Sequence, residues 1–293
     1  MDALTDTEVR ELEKRANDIR QTIIEMLLAA GSGHTAGPLG MADIFAALYF
    51  RILKHDPKNT EWEERDRLIL SNGHISPVRY AAMAHAGYFP IEECLTLRKF
   101  GSRLQGHPER EKLPGIETTS GPLGSGLSQA AGYAYAARMD VDGNRGESLG
   151  DSKGLSSVPF RVYCIMSDGE QQEGNTWEGA MFASKYRLSN LTAIMDRNNI
   201  QIEGVTEEIM PLEPLREKYE SFGWHVIEVD GHNIPQFIAA CGEADAIYEK
   251  PTIIIAHTIP GKGVREIEHD YRWHGKPPSK EEAERFLQEL KSL

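Results

Sequence analysis

The chain has 293 residues, of which 40% are hydrophobic and 26% charged, a composition that suits a globular fold with a sizeable core. A net charge of -13 argues against nucleic acid, whose phosphates need a basic surface, but leaves room for a small phosphorylated ligand held by a metal ion and helix N-termini. No apolar run reaches the ~18 residues of a membrane span, and the acidic start MDALTDTEVRELEKRAND lacks the apolar segment of a signal peptide, so a cytoplasmic protein is expected.

In chain order, TDTEVRELEKRANDIRQTIIEMLLAAG predicts a helix. Val9, Leu12, Ala16, Ile19, Ile23 and Leu27 recur at steps of three and four, Thr5 and Glu8 suit a capping box, and Gly31 suits a stop. MADIFAALYFRIL predicts a second, mostly apolar helix. Then come short apolar runs of strand length: RLILS, VYCIM, LTAIM, WHVIEV and TIIIAH. Helical patterns such as TWEGAMFASKYRL and IPQFIAACGEADAIYEK separate most of them. The alternation predicts an α/β fold, a mainly parallel sheet flanked by helices on both faces, within a single domain spanning 1–293. The polar stretch 139–160 is too long for an ordinary connection and reads as a surface insertion. SKEEAERFLQELKSL closes the chain as an amphipathic helix with Ser279 and Glu282 as a capping box. Cys94, Cys164 and Cys241 are scattered and odd in number, which fits neither a disulfide framework nor a metal-spacing motif.

The polar chemistry follows the strands. Asn72-Gly73-His74, Ser167-Asp168-Gly169, Asp196-Arg197-Asn198-Asn199 and Pro260-Gly261-Lys262 each come directly after an apolar run. In open α/β sheets that carboxyl edge is where ligands bind. Asp168 and Asn198 on neighbouring strands would present hard oxygen donors, suited to Mg²⁺ or Ca²⁺ rather than zinc. Two side chains are too few for a full shell, so a phosphate group and water would complete it. Each cluster alone is also what a plain turn needs; the pair, one helix apart, favours a metal–diphosphate site. No G-x-G-x-x-G or G-x-x-x-x-G-K-[ST] loop follows the first strand, which argues against an ordinary nucleotide-binding module.

SDGE followed by DRNN resembles the Gly-Asp-Gly…Asn-Asn fingerprint of thiamine diphosphate enzymes, with Ser167 in place of the usual first glycine. GSGHTAGPLGMAD (Thr35 where proline is usual), DRLILSNGHISP, QGHPE, TTSGPLGSGLSQA and WHGKPP narrow the resemblance to transketolase, in the family's order, over about residues 10–280. The resemblance implies that Asp168 and Asn198 bind the metal by side chain and Ile200 by its carbonyl. It implies that His74, Gly169, Asn198 and His274 hold the cofactor, that Gly121, Pro122 and Leu123 line it near the thiazolium, and that His34, His107 and His274 surround the reacting carbons of the sugar. Glu173 reads either as part of an interface carboxylate network or as an acid in a first helical turn.

A full transketolase also has a pyrimidine-binding domain and a carboxyl-terminal domain, which have no counterpart in this sequence. The resemblance is therefore to the amino-terminal subunit of a split transketolase. It implies sugar phosphate substrates of the xylulose 5-phosphate and ribose 5-phosphate type, and a carboxy-terminal partner subunit in a heterotetramer, with no nucleic acid and no membrane involved. The alternatives are a 2-oxo acid dehydrogenase component, a transketolase for an unusual sugar phosphate, and a non-catalytic cofactor-binding subunit.

Overall fold

The computed structural model describes residues 4–143 and 158–293. Helix α1 (Asp6–Ala30) starts at the expected capping box, with Thr5 and Glu8 bonding each other's backbone, and stops at Gly31 with φ 63°, the left-handed C-cap conformation. A short helix, α2 (Ala36–Gly40), precedes α3 (Ala42–Ala47), which continues as a π-helical turn over Leu48–Ile52. The second predicted helix is thus present. The one before it was not expected, because its Gly-Pro-Leu-Gly sequence has no apolar period.

The strands are β1 (Arg67–Leu70), β2 (Val162–Ser167), β3 (Leu191–Arg197), the short pair β4 (Ile200–Gln201) and β5 (Gly204–Val205), β6 (His225–Asp230) and β7 (Thr252–His257). Five of them form one sheet in the order β1-β2-β3-β7-β6, with every pairing parallel. The remaining helices are α4 (Ser76–His85), α5 (Ser125–Gly143), α6 (Gly174–Lys185), α7 (Thr206–Ile209), α8 (Leu215–Ser221), α9 (Ile234–Ala246) and α10 (Lys280–Leu290).

Alternation along the strands divides the core into two layers. Tyr163, Ile165, Ile194 and Ile254 pack with α1, α3, α4 and α9 on one face. Val162, Cys164, Met166, Ala193, Met195 and Ile253 pack with α5 and α6 on the other. With both faces covered, β2 and β3 are buried along their full length, which is why they read as continuous apolar runs. Helix α10 starts at its predicted Ser279–Glu282 capping box. Of the stretch read as an insertion, 139–143 belong to the end of α5 and 144–157 lie outside the described residues. The three cysteines are free and buried. No described helix is long and apolar enough to cross a membrane.

Candidate cofactor and metal site

Parallel register brings the ends of three strands level. Ser167 lies beside Asp196, and Arg197 beside His257, so Asp168 and Asn198 follow at one edge. Asp168 has no exposed surface. Its Oδ2 accepts from Arg197 Nη1 at 3.0 Å and from the Asn199 amide at 2.7 Å; its Oδ1 accepts from the Gly169 amide at 2.6 Å. A carboxylate oxygen has two lone pairs. Oδ2 is therefore filled, and Oδ1 keeps one lone pair for a cation. Asn198 donates to Asp196 Oδ2 at 2.8 Å, and its Oδ1 accepts from the Ile200 amide at 3.0 Å, again with one lone pair left.

The third predicted donor is the Ile200 carbonyl. The Thr206 amide bonds Asn199 O at 3.0 Å, and Ile200 pairs with Val205 one step along the hairpin. Alternation then turns Ile200 away from its partner strand, toward Asn198. Asn199 makes the bend into the hairpin at φ 65°, a conformation asparagine tolerates. The donor set is one carboxylate, one amide oxygen and one carbonyl. It fits a hard divalent cation whose shell is completed by phosphate and water.

Burial pushes the Asp168 carboxyl up to about 6, against the lowering effect of Arg197 and the two amides. Asp196, fully buried and bonded by Thr258 and Asn198, is pushed up to about 7. A bound cation would oppose both shifts.

The predicted histidines converge. Ring centroids are 4.9 Å apart for His34 and His74, 5.0 Å for His74 and His274, and 5.4 Å for His34 and His274. His107 adjoins them: a Cβ on Gly73 would stand 3.1 Å from its Cδ2. Burial lowers the basicity of all four, with neighbouring positive charge adding to it at His34, His74 and His107; His34 falls to about 4. Near neutral pH they are uncharged, so each can accept a proton. His34 Nδ1 is buried with no hydrogen-bond partner, as are both amide atoms of Asn72. Polar atoms left unsatisfied in a buried site are what an absent polar ligand would meet.

Three further contacts draw the loops together. The Ser120 amide bonds Pro108 O at 3.0 Å, the Gly261 amide bonds Ala36 O at 2.8 Å, and Thr35 Oγ1 bonds Lys276 O at 2.6 Å. Strand β5 packs against the Tyr271–Trp273 turn that precedes His274. Gly121 is half-buried, and Pro122 and Leu123 are exposed on the loop leading into α5. Gly169 opens a 3₁₀ turn, Gly169–Gln172, rather than a helix; α6 begins only at Gly174. Glu173 is exposed between them.

The family description "Transketolase, thiamine diphosphate binding domain" matches residues 12–291. The chain belongs to the transketolase family. It is 44% identical over 253 residues to the 6-deoxy-6-sulfo-D-fructose transketolase subunit of Clostridium sp. (strain MSTE9), covering 86% of each chain. It is 37% identical over 283 residues to an apulose-4-phosphate transketolase subunit of Phocaeicola vulgatus, covering 97% of this chain and 95% of the relative. Among solved structures, the transketolase of Leishmania mexicana superimposes with a TM-score of 0.87 at 33% identity, over 96% of this chain and 41% of that one. The chain therefore spans about two fifths of a full-length transketolase and nearly all of the subunit from Phocaeicola.

Some site residues were not foreseen. Glu170 is buried, accepts from the Gly124 amide at 2.5 Å and the Ser167 amide at 3.1 Å, and takes the Ser71 hydroxyl as well. It ties the ends of β1 and β2 to the 121–124 loop. Arg197 joins Asp168 to Thr206, Glu207 and Glu213, each at 2.9 Å. An arginine at the end of an apolar strand run was the available signal. His232, assigned no role from sequence, bonds Asp43 at 2.7 Å and accepts from the Ile259 amide at 2.7 Å, bracing the loop after β7.

Proposed function

We propose that the chain is the diphosphate-binding subunit of a split transketolase. With a separate carboxy-terminal partner, in a heterotetramer, it transfers a two-carbon ketol unit from a ketose phosphate of the xylulose 5-phosphate type to an aldose phosphate of the ribose 5-phosphate type. The observations that support this reading are the convergence of three imidazoles that burial keeps uncharged near neutral pH and a one-carboxylate oxygen donor set at the carboxyl edge of the sheet.

Thiamine diphosphate supplies the electron sink when bound. Asp168, Asn198 and the Ile200 carbonyl would hold Mg²⁺ (or Ca²⁺), and through it the diphosphate, with Gly169, His74 and His274 contributing contacts. Gly121, Pro122 and Leu123 would line the cofactor near its reactive ring. His34, His107 and His274 would take and return protons on the sugar hydroxyls next to the bond that breaks and re-forms. Neutral imidazoles suit a reversible transfer, because each can act as base in one direction and acid in the other.

Relatives with names specifying a sulfonated fructose and apulose 4-phosphate support a second reading, in which the donor is an unusual anionic ketose at the same site. The experiment is ketol transfer by the complex pulled from its native host, beside the bare chain, with Mg²⁺ and thiamine diphosphate. Activity with xylulose 5-phosphate in the complex alone is expected. Activity only with a sulfonated or branched ketose moves the assignment to that donor. Turnover by the homogeneous bare chain refutes the split-enzyme reading.

A further inference from the structure

Asp43 and His232 belong neither to the oxygen donor set nor to the imidazole cluster, yet their side chains are only 10% and 12% exposed. Strands β6 and β7 run in parallel register with Asp230 beside His257, and the Gly231 amide extends the ladder to His257 O at 2.8 Å. A Cβ on Gly231 would stand 2.6 Å from Thr258 Cγ2, so glycine lets the two strand ends stay this close. Two residues past the paired ends, His232 therefore faces Ile259. The Asp230 carboxylate accepts from the His232 amide at 2.9 Å, and Asn233 caps α9 with a proline in its first turn. Both fix the turn that carries the ring.

A backbone amide can only donate. The Ile259 amide reaches His232 Nε2 at 2.7 Å, so that nitrogen holds the lone pair; Nδ1 then carries the proton and donates to Asp43 Oδ2 at 2.7 Å. The same carboxylate oxygen accepts from Arg20 Nη2, while Arg20 Nε donates to Leu39 O at 3.1 Å. Burial works against the Asp43 charge, but Arg20 and His232 together hold its carboxyl below its ordinary value. The charged groups around the ring are Asp43 from α3, Arg20 from α1 and Asp230 from the end of β6, with Lys262 the one charged residue of the loop 258–262. A ring protonated on both nitrogens could not accept from Ile259.

That loop is bonded to both halves of the site. Thr258 donates its hydroxyl to Asp196, the carboxylate that takes the Asn198 amide. The Gly261 amide donates to Ala36 O at 2.8 Å, two residues past His34, and a Cβ on Gly40 would stand 2.8 Å from Ile259 O. The Arg20–Asp43–His232 chain thus grips α2 through Leu39 and the loop through Ile259. We propose that His232, oriented by Asp43 and Arg20, is a positioning residue. As the uncharged Nδ1–H tautomer it sets the His34 segment and Asn198 relative to each other through the loop 258–262.

The kinetic part of the test rests on the ketol-transfer reading. In the assembled complex, His232→Met keeps apolar bulk and removes both hydrogen bonds, while His232→Gln offers an amide donor and a carbonyl acceptor in their place. His232→Met should lower kcat about 10- to 100-fold with KM for the sugar phosphates within about threefold, because the ring supports the site without touching substrate. It should also weaken calorimetric binding of Mg²⁺ with thiamine diphosphate about tenfold, and His232→Gln should restore both to within about threefold of wild type. Unchanged kcat and affinity in His232→Met, measured well below its melting temperature, make His232 a packing residue and overturn the proposal. So does a His232→Gln variant as impaired as His232→Met.

Where His232→Met does not assemble, the tautomer decides. In nitrogen NMR spectra of the full wild-type chain at about pH 7.5, the ring signals missing from His232→Gln should show the proton on Nδ1; an Nε2–H or doubly protonated ring overturns the proposal. If the wild-type complex transfers no ketol unit, the ketol-transfer reading falls and calorimetry alone judges His232. Weaker binding in His232→Met with recovery in His232→Gln upholds its role; equal binding in all three ends it.

Discussion

Asp168 carries opposing demands. Its carboxyl is pushed up to about 6 by burial, so without a cation the folded chain holds a proton there that the unfolded chain, near 3.8, releases earlier. Between those values the folded state binds more protons, and stability is lost as pH rises through about 6. A divalent cation reverses the sign by favouring the charged form. Mg²⁺ with thiamine diphosphate should therefore raise the melting temperature more at about pH 7.5 than at about pH 5.5. Equal shifts at both would count against the metal assignment. Asp168→Ala should weaken metal-dependent cofactor binding about 100-fold or more in titration calorimetry, with the circular dichroism spectrum retained. Under the proposed function the uncharged ring of His34, its basicity lowered to about 4 by burial, is the working form. His34→Ala in the complex should lower kcat/KM by about 100-fold or more while leaving cofactor affinity within a few fold, as loss of a proton-transfer group does. A parallel collapse of cofactor binding would assign His34 to the cofactor instead.

At the scale of elements, the site depends on how strand ends are tied to loops. Glu170 is the knot between β1, β2 and the N-terminal end of α5, through Ser71, Ser167 and Gly124. Replacing it with alanine strands three buried donors, so Glu170→Ala should cost about 3 kcal/mol or more in urea unfolding. Glu170→Gln should cost less, since its carbonyl still accepts. A loss within about 0.5 kcal/mol, the range of ordinary surface substitutions, would mean water replaces the carboxylate. This knot was not legible in the sequence, because Ser71, Gly124 and Glu170 are far apart along the chain and meet only when the sheet forms. The helices were more readable. Thr5–Glu8 and Ser279–Glu282 announce α1 and α10 through local hydrogen bonds that need no tertiary partner. Helix α2 escaped notice because packing holds it: Gly40 lies so close to Ile259 O that a Cβ would stand 2.8 Å away.

At the scale of the whole molecule, the chain covers about two fifths of a full transketolase. Under the proposed function the aromatic pocket and the carboxylate that activate the cofactor's pyrimidine ring come from the partner. Size-exclusion chromatography of a mixture with that partner should show a larger species than either chain alone, and only that species should turn over substrate.

What the sequence determined by itself was whatever depends on local order: the capped helices, the apolar strand runs, and the polar clusters placed directly after them. Those clusters were visible because parallel strands covered on both faces leave only their carboxyl ends for polar chemistry. Tertiary structure decided the rest. The parallel register brought Asp168 and Asn198 to one edge of the sheet, the hairpin turned the Ile200 carbonyl away from its partner strand, and loops from distant parts of the chain brought His34, His74, His107 and His274 together.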